Sequence, residues 1–550
     1  MAINRETLGQ RTAKIYIRLP EFLHLNKEIV MSTTLRKTGL VCVSLLMSLQ
    51  AAIPTFAKDT QTLHIALAQE AGNLDLLQNE SALSAYGLVF DGLVRYGAGG
   101  KLEPGLAEKW ELAADGKSIT FQLRKNVGFS DGTPFDAKAA EWNFARWIGK
   151  SDFSWIGVSD NFQKMEVTGP YTLKILLKAP VPVALAELSI VRPVRFLSPK
   201  SVDAKGKQTA PIGTGAWKVV ENGKSRTVLV RNDDYWGVKP SFSRIELSVV
   251  PDELSRVNAL RAGDLDIIGG EWVAPLLPNR AKALVTDPGV GVFAAPGVST
   301  VLLGFNNTRG PLADVRVRRA INLGLDRASI AKILYQGYAD PASNLFPPTI
   351  PDAGKRQPVP VRDVATASKL LDEAGWVRSG STRRKDGKEL TLDLLASDQV
   401  LPGARRLSEL ILGQLSDLGI TVSVSSLDDA TYHDRRQKFD YDLAFFTTYA
   451  APYDPHGTLS AMLVSTADSG PDGKIFVSKE LDGVIQSALL ATGEDRKAKV
   501  QKIYDWMSQN AAICPLVYPQ RLWAYNKRVK GFVLPPTEYD MPVSGLSLNQ

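Results

Sequence analysis

Residues able to do chemistry by themselves are scarce in this chain. Of 550 residues, four are histidine (His24, His64, His433 and His456) and two are cysteine (Cys42 and Cys514). No Cys-x-x-Cys pair is present to build a zinc ribbon, and two cysteines cannot staple a disulfide scaffold. No two histidines stand four apart on one helix face and His-Glu-x-x-His is absent, which argues against a multi-histidine metalloenzyme. His64 alternates onto one face of a strand-like segment, and His433 stands beside Asp434-Arg435-Arg436 on an expected surface helix. Cys514 lies in the apolar run Ala511–Val517 with no histidine nearby in sequence, which reads as a buried, inert thiol. A secreted hydrolase would need acid–base groups that so few histidines do not supply. The chain is expected not to be an enzyme.

Charge gives little more. The formal net charge is +7, from 65 basic and 58 acidic residues, but residues 1–57 hold seven of the basic and three of the acidic ones. From residue 58 onward the excess is only +3, and no Lys/Arg cluster is interleaved with aromatics. A nucleic-acid partner is therefore not expected.

The elements that must position any site alternate between two periodicities. Leu63–Leu67, Ile119–Leu123 and Tyr171–Ile175 alternate apolar and polar residues as strands do, with Asp115-Gly116 as a turn before the second. Helical spacing runs over Ser255–Ala262, Val315–Leu325, Ala367–Ala374 and Arg405–Leu418, with Gly263, Gly375 and Gly419 as stops. Short strands follow at Leu265–Ile268 and Ile420–Val424. Helix, glycine, strand in succession predicts α/β lobes with parallel or mixed sheets. Phe346–Pro351 and Val377–Lys388 read as surface loops.

The N-terminal region reads as an address. Arg36 and Lys37 precede an apolar stretch from about Leu40 to Ile53, and Thr55-Phe56-Ala57 precede Lys58. This is the pattern of a secretory signal peptide over 31–57, too short for the roughly 20 residues of a bilayer-spanning helix. Cys42 lacks the small neighbours of a lipoprotein cleavage site. Residues 1–30 read as an extension ahead of the working start at Met31.

Several patterns in order carry a resemblance. They are Leu106-Ala107-Glu108-Lys109-Trp110; Asp115–Arg124; Phe129-Ser130-Asp131-Gly132-Thr133-Pro134-Phe135; Pro211-Ile212-Gly213-Thr214-Gly215-Ala216-Trp217; Arg231-Asn232-Asp233-Asp234-Tyr235-Trp236-Gly237; Ala262-Gly263-Asp264-Leu265-Asp266; Val315–Asn322; and Leu370–Trp376. Together they resemble the periplasmic solute-binding proteins of ABC importers, the family that carries dipeptides, oligopeptides and nickel. The resemblance implies a two-lobed α/β periplasmic-binding-protein fold with mixed sheets, a hinge and a ligand cleft between the lobes. Lobe I would hold 58–298 plus 517–550, and lobe II 299–516. It also implies a monomer in the periplasm that delivers its ligand to permease subunits in the inner membrane. Taken singly the motifs read as structural: Gly213 and Gly215 as turn glycines, Trp236 and Trp376 as packing residues.

Within that family, Tyr449-Ala450-Ala451-Pro452-Tyr453-Asp454-Pro455-His456 is most similar to the nickel-binding branch. Peptide-binding relatives place an aspartate where Pro452 stands, and proline offers neither charge nor N–H to a peptide's ammonium. The branch's cleft residues map here onto Trp155, Arg192 in Val191-Arg192-Pro193-Val194-Arg195-Phe196, Tyr449, Tyr453 and Thr537. Arg192 would be the principal contact, since a guanidinium fork fits a carboxylate bidentately. His456 is the candidate direct metal ligand. Two departures matter: Leu463–Asp468 lacks the branch's histidine, and Asp152 replaces an arginine three residues before the cleft tryptophan. The expected cargo is therefore nickel already wrapped in a small chelator, such as histidine or an opine-type metallophore, with no resident cofactor. A di- or oligopeptide, or an opine, is the alternative cargo.

Overall fold

A computed structural model describes residues 61–549 apart from 79–81, 352–353, 356, 450–451, 453–454 and 466–472. The expected extension 1–30 and signal peptide 31–57 lie outside the described residues, as does Tyr453. Among the described residues, no helix is long and apolar enough to cross a membrane.

Two sheets organise the chain. The first has seven strands in the spatial order Val290–Ala295, Arg521–Asn526, Ile267–Gly269, Thr62–Leu67, Arg244–Val249, Arg226–Arg231, Trp217–Asn222. Thr62–Leu67 runs parallel to Arg244–Val249 and to Ile267–Gly269, while the flanking pairs are antiparallel. The second has six strands: Ala339–Pro341, Ile513–Pro519, Val301–Phe305, Leu443–Thr447, Thr391–Ala396, Thr421–Ser426. Thr391–Ala396 is parallel to both of its neighbours. The mixed sheets expected from the helix–glycine–strand rhythm are present.

The second sheet is covered on both faces at its centre, which explains why Val301–Phe305, Leu443–Thr447 and Ile513–Pro519 are nearly continuous apolar runs rather than alternating ones. In Val301–Phe305 every residue is buried. Val301, Leu303 and Phe305 pack with Val317, Ile321 and Ile411 of the helices on one side. Leu302 faces the opposite core with Phe446, Ile485 and Ile503. The helices end as their glycines predict: Gly263, Gly375 and Gly419 all have positive φ. Their starts carry aspartate caps, with Asp252, Asp314, Asp326, Asp363 and Asp428 each accepting a backbone N–H of the first turn.

A third, antiparallel sheet of Ala107–Leu112, Ser118–Leu123, Thr172–Leu177 and Phe162–Gly169 forms its own core with Phe135, Phe144 and Phe196. Phe196 meets Phe135 and Phe144 edge-to-face at 5.1 and 5.7 Å.

The chain passes from the first sheet to the second between Ala295 and Val301, and returns at Gln520. The expected return near 516–517 therefore falls inside the strand Ile513–Pro519, because Val517 still pairs with Val301 and with Pro341. At these passages the two segments touch. A Cβ on Gly297 would stand 1.8 Å from the Pro519 carbonyl oxygen, so only glycine allows the approach.

Two local expectations are corrected. Val377–Lys388 is not a loop: most of it folds into a three-stranded meander, Val377–Ser379, Thr382–Lys385 and Lys388–Glu389. Asp386 and Gly387, both at positive φ, make the tight turn between its last two strands. Arg383 holds it down, donating to the carbonyls of Leu418 and Trp376 and to Asp372. Its polar, exposed faces hid the period of two. Gly213 and Gly215 are not turn glycines either, since neither has positive φ. Each lies against the Val89 backbone, where a Cβ would come within 2.1 and 2.5 Å.

Candidate ligand cleft

The motifs of the first half converge on one carboxylate. Asp91 Oδ2 accepts from Trp236 Nε1 at 2.9 Å and Thr214 Oγ1 at 3.2 Å. Trp236 lies between Arg95 and Arg124, whose guanidinium carbons stand 4.9 and 4.8 Å from its ring centre. The Tyr235-Trp236 motif is thus packing, as expected, and Gly-Thr-Gly packs against Val89 and Asp91 rather than making the expected turn. Gly128-Phe129-Ser130-Asp131-Gly132 has the spacing of a hydrolase nucleophile turn but not its setting. Its loop closes on itself through Phe129 N–H to Thr133 O, and Asp131 accepts from Ser198 Oγ.

Arg192 and Arg195, three residues apart, differ sharply. Arg195 pairs with Asp540 at 2.9 Å and donates to the Phe90 carbonyl, pinning its loop. Around it Val191, Val194 and Phe196 are buried. Arg192 is half-buried and, among the described residues, forms no hydrogen bond or ion pair. A guanidinium fixed by its neighbours yet without an internal partner is suited to take an anion from outside.

Trp155 follows the turn Ser151–Phe153 and precedes the short helix Gly157–Asp160. Phe153 and Ile156 point into the core, which leaves the indole 49% exposed. The start of that helix is fastened by Glu187, whose two oxygens accept from Gly157 N–H at 2.9 Å and Val158 N–H at 2.8 Å.

The opposing wall comes from the six-stranded sheet. Tyr449 follows the strand Leu443–Thr447, is half-buried against the core, and its N–H donates to Thr458 Oγ1. His456 lies seven residues on, with Nε2 4.0 Å from Glu187 Oε1. The walls therefore meet at this pair. Beside it a cavity of about 270 Å³ opens, with Pro182, Val183 and Ala186 on one side and Pro452, Pro455 and Arg496 on the other. Burial and the Arg496 charge hold His456 down at about 4, so its imidazole is neutral at neutral pH. Burial pushes Glu187 up to about 7, against the pull of its two N–H donors.

Thr537 is buried, and its hydroxyl donates to Asp540 Oδ2 at 2.6 Å. Through Asp540 it joins Arg195, so the Arg192 and Thr537 segments share one wall. Thr537 borders a pocket of about 10 Å³, room for one water, with Glu271, Arg521 and Glu538. Burial and the Glu271 charge push the Glu538 carboxyl well above the usual carboxylate range. Among the described residues no group of three or more His, Cys, Asp or Glu could hold a metal ion. Cys514 is fully buried beside Arg327, as its apolar setting predicts.

Glu187, Glu271 and Glu538 escaped the sequence reading. Glu187 and Gly157 are 30 residues apart, and Glu271 and Glu538 are 267 apart, so no local spacing announces either group. The one available hint was a glutamate within the otherwise apolar run Val181–Leu188.

Known proteins resemble this chain over most of its length. The family model of bacterial extracellular solute-binding proteins, family 5, matches residues 101–470. The nickel-binding periplasmic protein of Escherichia coli K12 is 30% identical over 459 residues, 80% of this chain and 86% of that protein. The crystal structure of an ABC transporter substrate-binding protein from Sinorhizobium meliloti is 45% identical with a TM-score of 0.78, covering 89% of this chain and 100% of that one. NikA from Brucella suis, solved in complex with Fe(III)-EDTA, superposes with a TM-score of 0.83 at 30% identity over the same shares. Less similar relatives are named for heme and glutathione. These relatives have the two-lobed periplasmic-binding-protein fold and are binding proteins of transport rather than enzymes. The chain belongs to the family 5 solute-binding proteins of ABC importers.

Proposed function

We propose that this protein binds a nickel chelate, or a related metal chelate, between its lobes in the periplasm and delivers it to the permease of an ABC importer. The lobes would be 58–298 with the chain after Gln520, and 299–519. The observation that carries the reading is Arg192, a half-buried guanidinium with no hydrogen-bond or ion-pair partner among the described residues, three residues from the Arg195–Asp540 pair that joins the Thr537 segment. It fits the carboxylate of a small organic chelator, and Trp155 offers an exposed indole to the same ligand. The neutral His456 could add one imidazole at most, too little to hold a bare aquo-ion tightly. Pro452 lines the cavity beside the Glu187–His456 pair and offers a peptide's ammonium neither a charge nor an N–H. The nickel-binding relative and the relative holding Fe(III)-EDTA support this cargo class.

Titration calorimetry with Ni(II) alone and with Ni(II) plus histidine tests it. The expected result is much tighter binding with histidine present. Equal affinity in both titrations defeats the chelate reading, and a peptide mass found by native mass spectrometry on protein purified from the periplasm replaces the metal with a peptide.

A further inference from the structure

The contact between the walls points to a residue that no sequence pattern marks. We propose that Glu187 is a positioning residue for ligand binding, its one carboxylate fastening the backbone just behind Trp155 while facing His456 of the opposite wall. It deepens the reading above and rests on it only for the identity of the cargo.

The geometry is specific. Both carboxylate oxygens are used, Oε1 by Gly157 N–H at 2.9 Å and Oε2 by Val158 N–H at 2.8 Å. These are the first two amides of the segment that begins two residues after Trp155. Nothing else in the short helix Gly157–Asp160 caps its start, because Ile156 has no side-chain acceptor to give. Gly157 leaves room for the arrangement: a Cβ there would stand 3.0 Å from Glu187 Oε1 and 3.1 Å from Val181 Cγ1. Glu187 itself sits on the turn Ala184–Glu187, whose Ala184 and Leu188 are rooted in the core. The backbone behind Trp155 is thus tied to a buried scaffold by this carboxylate, in addition to the core contacts of Phe153 and Ile156. The same Oε1 is 4.0 Å from His456 Nε2, just beyond hydrogen-bond range. A small approach of the two walls would bring them into contact, so one carboxylate registers the tryptophan against His456. Glu187 touches no ligand in this scheme; it acts through Trp155 and His456.

The test compares Glu187→Ala and Glu187→Gln in the full protein, alongside Trp155→Ala and Trp155→Phe. A glutamine oxygen can still accept one of the two amides, whereas alanine accepts neither. Hydrogen exchange at Gly157 and Val158 should quicken in the order wild type, Gln, Ala. The Trp155 component of the emission, defined by subtracting Trp155→Phe, should shift in Glu187→Ala. Affinity for Ni(II)–histidine should fall about tenfold in Glu187→Ala and less in Glu187→Gln. The Trp155→Ala/Glu187→Ala double variant should bind no more weakly than Trp155→Ala, because the two act as a unit. Unchanged exchange, unchanged affinity or additive losses each overturn the proposal. If wild type fails to bind Ni(II)–histidine, the nickel reading falls by itself. Exchange and Trp155 emission then decide Glu187: movement of both in Glu187→Ala upholds it, and no movement overturns it.

Discussion

Arginine is used in two opposite ways in this molecule. On the helix Val315–Gly324, Arg318 is 5% exposed and donates to four carbonyl oxygens, those of Leu312, Ala313, Asn510 and Ala511. Burial lowers it to about 10, which leaves it charged at neutral pH. Arg327, nearby, does the same for Pro515 and Asn322 and reaches Cys514 Sγ. Arg192, in the same loop as Arg195, has none of this: a similar side chain, held between buried neighbours, with no such donors placed. The difference teaches which guanidinium belongs to the fold and which keeps its donors unengaged. A buried arginine whose donors are all matched to backbone oxygens is a clip that joins elements distant in sequence. An accessible arginine with unmatched donors costs the fold little and remains available to an anion.

The contrast can be broken at either end. Arg318→Ala should reduce the free energy of unfolding by about 3 kcal/mol, since four carbonyls, those of Leu312 and Ala511 in fully buried bonds, lose their donor. Urea unfolding monitored by far-UV circular dichroism measures this, and a loss below about 1 kcal/mol would mean water replaces the guanidinium there. Arg192→Ala should leave that unfolding curve unmoved while weakening Ni(II)–histidine binding about thirtyfold, the value of a charge-assisted bidentate contact of about 2 kcal/mol. A variant that loses stability and binding together would place Arg192 with the clips.

The smallest effect concerns the caps. Asp326→Ala should cost about 1 kcal/mol, because Asp326 accepts from Ser329 N–H and Oγ at the start of the helix Arg327–Ile333. The hydrogen bonds to Ser329 hold the Asp326 carboxyl below its ordinary value, and those to Thr366 and Thr431 do the same for Asp363 and Asp428. A depressed carboxylate stabilises the fold at pH above its unfolded value and loses that contribution as pH falls through the folded one. Wild type should therefore lose stability progressively below about pH 4, and Asp326→Ala should lose less over the same range. Parallel curves for the two proteins would show that this cap carries no pH-dependent stability.

The fold class was legible because its signals are local. The alternation at Leu63–Leu67 and the helical spacing before Gly263, Gly375 and Gly419 each need only a few neighbouring residues. The meander at Val377–Glu389 was misread for the converse reason, since both of its faces are polar and it has no apolar period to show. The ordered motifs indicated the family although most of their residues are packing, as the convergence of Trp236 and Thr214 on Asp91 shows.

By itself the sequence determined that this chain forms mixed α/β lobes, that histidine and cysteine are scarce in it, and that Arg192 and Arg195 lie in one short segment. Only the tertiary structure decided which of those two arginines is engaged, because Asp540 comes from 345 residues away. It likewise decided that Glu187 stands behind Trp155 and faces His456. Charge pairing and backbone capping act over about 3 Å in space at any separation along the chain, so the partners of a cleft residue are set by folding and leave no trace in local spacing.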